Sequence, residues 1–159
     1  MAGFLGSLLE TYRVQMERHH NLPFLRATMA ASAMVATADG NVSFTERVRV
    51  DQILTTLEEL KVFDPHEGVD LFSEYADAIL ENPKDGHDRA VAALDTVKDD
   101  PEQCELMIRI CLAVAESNGE TTLVDEIEIV SLCSRLGVDP AEFGLYRDEL
   151  LKLRDQEKN

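Results

Sequence analysis

ADGNVSFTE at residues 38–46 and SNGETTLVDE at residues 117–126 are two copies of one loop, and the segments around them decide the fold. Each follows a stretch rich in small residues, turns on a glycine and reaches a carboxylate six positions later. With an offset of 79 residues, Asp39-Gly40 falls on Asn118-Gly119, Ser43 on Thr122 and Glu46 on Asp125. The flanks keep step: Val35-Ala36 matches Val114-Ala115, Val48 matches Ile127, Ile53 matches Leu132 and Leu57 matches Leu136. A helix–acidic loop–helix unit therefore occurs twice, which predicts a pseudo-twofold pair at the centre of a helical domain.

Outward from the loops, apolar spacing stays close to 3.6 residues per turn. Phe4, Leu5, Leu8, Leu9, Tyr12 and Met16 form an amphipathic N-terminal helix. Pro23 suits the first position of a second one, which is thin because it carries Ala27, Ala30, Ala31, Ala33 and Ala36. Further helices are expected at 44–60, at 65–81 after Asp64-Pro65, at about 86–98, at 101–116 after Asp100, and at 123–136 with Gly137 ending it. Asp139-Pro140 opens a last one. Alternating β-branched runs are missing, so the fold class is all-α, a single compact domain of seven to eight helices. Residues 1–22 are read as an N-terminal helix packing on the domain, 23–155 as the helical domain and 156–159 as a charged tail.

With 159 residues the chain suffices for one domain with a real core. It holds 15 basic and 31 acidic residues, a net charge of −16. Nucleic acid and anionic membranes are poor partners for such a chain, because both require basic clusters; cations and basic protein surfaces are better ones. The acidic pole lies at 58–105, with fifteen acids and four bases. No segment is long and apolar enough to span a bilayer, and the first residues lack the basic region of a secretory signal. Three cysteines without a CxxC motif suit a reduced, cytoplasmic protein.

The loops carry two readings. A calcium ion takes six to eight oxygens, often around a loop whose glycine permits a sharp turn. Overlaid on the EF-hand, Gly40 takes the glycine position and Glu46 the closing carboxylate, but Val35 and Thr37 stand where the first ligands belong. This is not an EF-hand, and a shorter acidic loop is the cation-binding alternative. The other reading is local: Ser43-Phe44-Thr45-Glu46 is a capping box, Thr122 with Asp125 repeats it, and Asp-Gly or Asn-Gly ends a helix.

Other constellations are weaker. Asp70, Glu74, Asp77 and Glu81 line one face of the 65–81 helix, either as a solvated row or as a partner-binding stripe. His19, His20, His66 and His87 are scattered among polar residues. No nucleophile–base motif, phosphate loop or HExxH sequence is present, and Cys104, Cys111 and Cys133 sit in apolar helical contexts. Catalysis is not expected.

Together with EELKVFD at 58–64 and LGVDPAEFGL at 136–145, the two loops resemble the tellurite-resistance TerB family across residues 4–145. The resemblance implies an all-helical, non-enzymatic cytosolic domain with an acidic surface. It also implies association with other tellurium-resistance proteins, membrane-embedded members included, and calcium or another divalent cation at the loops. Carried across, it nominates Asp39, Asn41 and Glu46 in the first loop, and Asn118, Glu120, Asp125 and Glu126 in the second. The family's second loop usually holds Asp-Gly and a denser acidic run than Asn118-Gly119-Glu120-Thr121-Thr122, which favours the first loop as the stronger site. Two functions follow as expectations: a cation-binding adaptor of the stress-resistance system, or a metal-free scaffold whose acidic surface meets a basic partner.

Overall fold

The computed structural model describes residues 2–119 and 121–145, apart from the side chains of Ala2 and Asn118. Six α-helices follow one another: α1 (Ala2–Ala36), α2 (Phe44–Thr56), α3 (Pro65–Glu81), α4 (Pro83–Asp95), α5 (Pro101–Ala115) and α6 (Leu123–Leu136). Short 3-10 turns stand at Glu58–Leu60, Glu116–Asn118 and Pro140–Phe143, and no strand occurs among the described residues. The fold is all-α, as the periodicity predicts.

The second half of α1 is the axis of the domain. From Phe24 to Ala36 every residue except Arg26 is buried. A helix that is apolar all round belongs inside, and this segment packs against α3, α4, α5 and α6. Its alanines keep it narrow, so neighbouring backbones can close in around it. Thr28 and Ser32, one helical turn apart, lie fully buried there with hydroxyls that find no partner among the described residues. Beyond this axis, α2 packs on α3 and α5, while α6 packs on α5 and α1. Each loop's second helix thus reaches across to the helix that precedes the other loop.

Caps fix the outer helices. Asp64 accepts from the His66 N–H at 2.9 Å and Pro65 begins α3, as the sequence predicts. Asn82 and Pro83 do the same for α4, which therefore starts three residues earlier than expected. Gly86 is buried where a Cβ would strike the backbone of α3 at Ile79, and this brings α3 and α4 into close contact. Gly137, with φ +71°, closes α6 in the left-handed region that glycine adopts without strain.

Two expectations are corrected. Pro23 does not start a helix: it lies inside α1, which runs unbroken for 35 residues. A proline costs one backbone hydrogen bond and a steric clash with the preceding turn. Tertiary contacts just before it hold the helix on course. Arg18 pairs with Glu67 at 2.8 Å and lies over the Phe63 ring at 5.3 Å, and Asn21 donates to the Glu59 carbonyl at 3.2 Å. Nor does the 1–22 segment pack on the domain along its length. The side chains of residues 3–17 are exposed, and contact begins at Arg18. The helix expected after Asp139-Pro140 begins as the 3-10 turn Pro140–Phe143, and its remainder lies outside the described residues, as does the charged tail at 156–159.

If this account of α1 is correct, Pro23→Ala restores a backbone donor in an exposed helix interior and raises stability by about 1–2 kcal/mol. Ser32→Ala removes a buried unpaired hydroxyl and adds about 1 kcal/mol. Urea unfolding measures both. A loss of stability for Pro23→Ala would mean that the proline marks a real break.

Candidate functional site at the paired helix caps

The first loop is assembled from the end of α1. The Thr37 hydroxyl donates to the Ala33 carbonyl at 2.7 Å, and the Gly40 N–H returns to the Thr37 carbonyl at 2.8 Å. Gly40 holds φ +87°, a conformation that side chains other than glycine adopt only with strain. Asp39 then accepts from the Asn41 N–H at 3.1 Å, which turns the chain toward α2. At the start of α2, Ser43 Oγ accepts from the Glu46 N–H at 3.1 Å, and Glu46 Oε1 accepts from the Ser43 N–H at 2.8 Å. This is the capping box expected from the sequence.

The second loop repeats the plan. Gly119, φ +89°, donates to the Glu116 carbonyl at 2.9 Å. Thr122 Oγ1 accepts from the Asp125 N–H at 3.1 Å, and Asp125 Oδ2 accepts from the Thr122 N–H at 3.4 Å. Asp is one methylene shorter than Glu, in keeping with the longer return bond.

α2 packs on α5 and on the turn Glu116–Asn118, and Asp125 lies within electrostatic range of Glu46. Glu46 is 6% exposed and Asp125 8%, and they are the buried charged side chains among the described residues. Burial pushes the Glu46 carboxyl above the usual carboxylate range. The Ser43 hydrogen bonds pull it back in part, and the charges of Asp39 and Asp125 push it further up. Burial, followed by the Asp125 charge, also raises Glu126. No basic side chain pairs with Glu46 or Asp125 among the described residues. The compensation seen comes from the cap itself: the Ser43 backbone and side chain at Glu46 and the Thr122 N–H at Asp125, at helix N-termini where negative charge is favoured.

Of the nominated residues, the structure therefore gathers Asp39, Glu46, Asp125 and Glu126 into one electrostatic neighbourhood. Asp39 and Asn41 are exposed, and Glu126 is half-buried. The Asn118 side chain and Glu120 lie outside the described residues. Among the described residues, no three of His, Cys, Asp and Glu converge tightly enough to form a metal cluster by themselves. The donors present are carboxylate, amide and hydroxyl oxygens, the chemistry of a hard cation rather than of zinc.

Elsewhere, Asp70, Glu74, Asp77 and Glu81 are all exposed on α3, opposite the buried Gly68, Phe72, Ala76 and Ile79. Asp70 and Glu74 line a groove with Arg18, Arg26 and Phe63. The three cysteines are buried and free. Burial raises each thiol, Cys133 to about 11, which leaves them protonated at neutral pH. Sequence reasoning did not single out the burial of Glu46 and Asp125 within electrostatic range of each other. The signal available was the matched register of two capping boxes, each closing on a carboxylate six residues after a glycine.

Comparison with known proteins agrees with this architecture. The family model for tellurite resistance protein TerB matches residues 25–148. A tellurium resistance protein TerB from an Alcaligenes species is 31% identical over 108 residues, covering 68% of this chain and 88% of that protein. No solved structure matches.

The raised Glu46 carboxyl fixes the sign of a pH effect. A group whose folded pKa lies above its unfolded value contributes stability at low pH and loses it as pH rises through the folded pKa. Glu46→Gln keeps an oxygen acceptor for the cap and carries no charge. In chelator-treated protein it is therefore more stable than the parent at pH 7, and the difference closes as pH falls below the carboxylate range. Urea midpoints between pH 4 and pH 8 (set by the ordinary Glu pKa of about 4.3) measure it, and a constant difference across that window contradicts the assignment.

Proposed function

The chain belongs to the TerB family of tellurite-resistance proteins, and we propose that it serves there as a non-enzymatic acidic adaptor that binds a divalent cation of the calcium type at its paired loops. The observation that carries this reading is the burial of Glu46 with Asp39 and Asp125 within electrostatic reach and no basic partner among the described residues. Buried carboxylates that repel one another are costly unless a positive charge joins them. A cation supplies that charge. Asp39, Asn41 and Glu46 would hold it from the first loop, and Asn118, Glu120, Asp125 and Glu126 from the second, with backbone carbonyls or water filling the six to eight places calcium takes. The thinner charge of the second loop argues for tighter binding at the first.

Recruitment follows from the same charges. The exposed row Asp70, Glu74, Asp77 and Glu81 offers a basic partner four carboxylates on one helix face. Such complementarity sets specificity and on-rate more than raw affinity. We read the partners as other tellurium-resistance proteins, met in the cytoplasm or at a membrane-associated complex, without nucleic acid and without insertion of this chain into the bilayer. No helix among the described residues is long and apolar enough to cross a membrane.

A second reading has an observation of its own. Glu46 and Asp125 already accept the cap N–H groups of Ser43 and Thr122, so both are used without a cation. On that reading the domain is a metal-free scaffold that works through its acidic surface alone. Calorimetric titration of chelator-treated protein with calcium, then magnesium, separates the two. The adaptor reading predicts saturable binding of one or two ions, weakened at least tenfold in Glu46→Gln/Asp125→Asn. A flat titration at millimolar ion leaves the scaffold.

A further inference from the structure

Residues 3–17 of α1 project beyond the domain and beyond the residues that the family model matches. Phe4, Leu5, Leu8, Leu9, Tyr12 and Met16 are each at least half exposed, Phe4 to 74%. At 3.6 residues per turn these six occupy one arc of roughly 140°, and Glu10, Arg13 and Glu17 fall on the opposite side. Together they expose on the order of 600–700 Å² of apolar surface, at or above the largest patch of an ordinary monomer. A standard interface needs about 800 Å² from each partner.

We propose that this helix is a homodimerisation element, pairing antiparallel with the same helix of a second copy of the chain. Three observations select that occupant. The first is the pattern, in which the row Phe4, Leu8, Tyr12 and Met16 reads the same in both directions. A twofold axis close to residue 10 sets Phe4 against Met16 and Leu8 against Tyr12, with Leu5 and Leu9 filling between, so the stripe is self-complementary. The second is charge. Residues 1–20 hold two acids and two bases in a chain of net charge −16, and Glu10 with Arg13 already pair on the helix. Two such helices meet without repulsion. The third is geometry: an antiparallel pair holds the two acidic bodies, which begin near Arg18, about 24 Å apart along the helix axis, well beyond a Debye length of about 8–10 Å. A parallel pair would press them together.

The same charges disfavour an anionic lipid surface, since helices that lie on such membranes carry a polar face rich in Lys and Arg. Here that face is neutral and the attached body is strongly acidic.

Sedimentation of the full chain tests the proposal, with Leu8→Asp beside it. Leu8 is exposed, so the variant keeps the fold, as its circular dichroism and urea midpoint verify. The expected result is a dimer at micromolar concentration, weakened about a hundredfold or more by a charge in the centre of the apolar seam. A spin label on Gly3→Cys, where added atoms meet open space, reads the orientation: antiparallel pairing separates the two labelled backbones by roughly 20–25 Å, parallel pairing by about 10 Å. A parent chain that stays monomeric at 100 μM (about −5.5 kcal/mol of association or less) overturns the proposal. So does a dimer that Leu8→Asp leaves intact, a short label distance, or a monomer that binds phosphatidylglycerol vesicles through this helix.

Discussion

Everything in this domain is arranged around a helix segment that can be enclosed because it is thin. Residues 24–36 include five alanines, with Phe24, Leu25, Met29, Met34 and Val35 as the bulky contacts, and four other helices close on them. Burial of a whole turn is possible only where side chains are small enough for neighbouring backbones to approach. The same segment ends at Ala36, its last carbonyls anchor Thr37 and Ala38, and Gly40 bonds back to the Thr37 carbonyl. The position of the first acidic loop is thereby set by the core, not by the loop.

From that anchor the site follows in steps. A left-handed glycine reverses the chain, a Ser or Thr caps the next helix, and a carboxylate three residues on completes the cap. Two such caps leave Glu46 and Asp125 both buried and within electrostatic range of each other. Capping and cation binding are therefore not competing uses of the same residues. Each carboxylate has two oxygens, and the cap orients the side chain while drawing on one of them. Helix N-termini make the local charge tolerable, while burial, with smaller contributions from the Asp39 and Asp125 charges, keeps the Glu46 carboxyl raised.

What the sequence made legible was whatever local chemistry decides. The bounds of α3 and α6 follow from Asp64-Pro65 at one start, Thr122 with Asp125 at the other, and Gly137 at the end of α6. Both capping boxes could be read residue by residue. The unbroken course of α1 could not, because Pro23 is a correct local signal for a helix start that distant contacts from Arg18 and Asn21 override. The exposure of Phe4 to Met16 was equally hidden, since an amphipathic stripe looks the same whether or not its own domain covers it. The electrostatic proximity of Glu46 and Asp125 involves residues 79 positions apart, and only the repeated register hinted at it.

The account turns on whether the Glu46 carboxylate is held in an unfavourable, cation-responsive environment. A carboxyl-carbon NMR titration of Glu46, run in chelator and again with saturating calcium, reads this directly. The account predicts a midpoint above the ordinary carboxylate range in chelator that falls when calcium is added, because a bound cation favours the ionised form. A midpoint in the ordinary range that calcium does not move would contradict it, and would leave Glu46 as a helix cap alone.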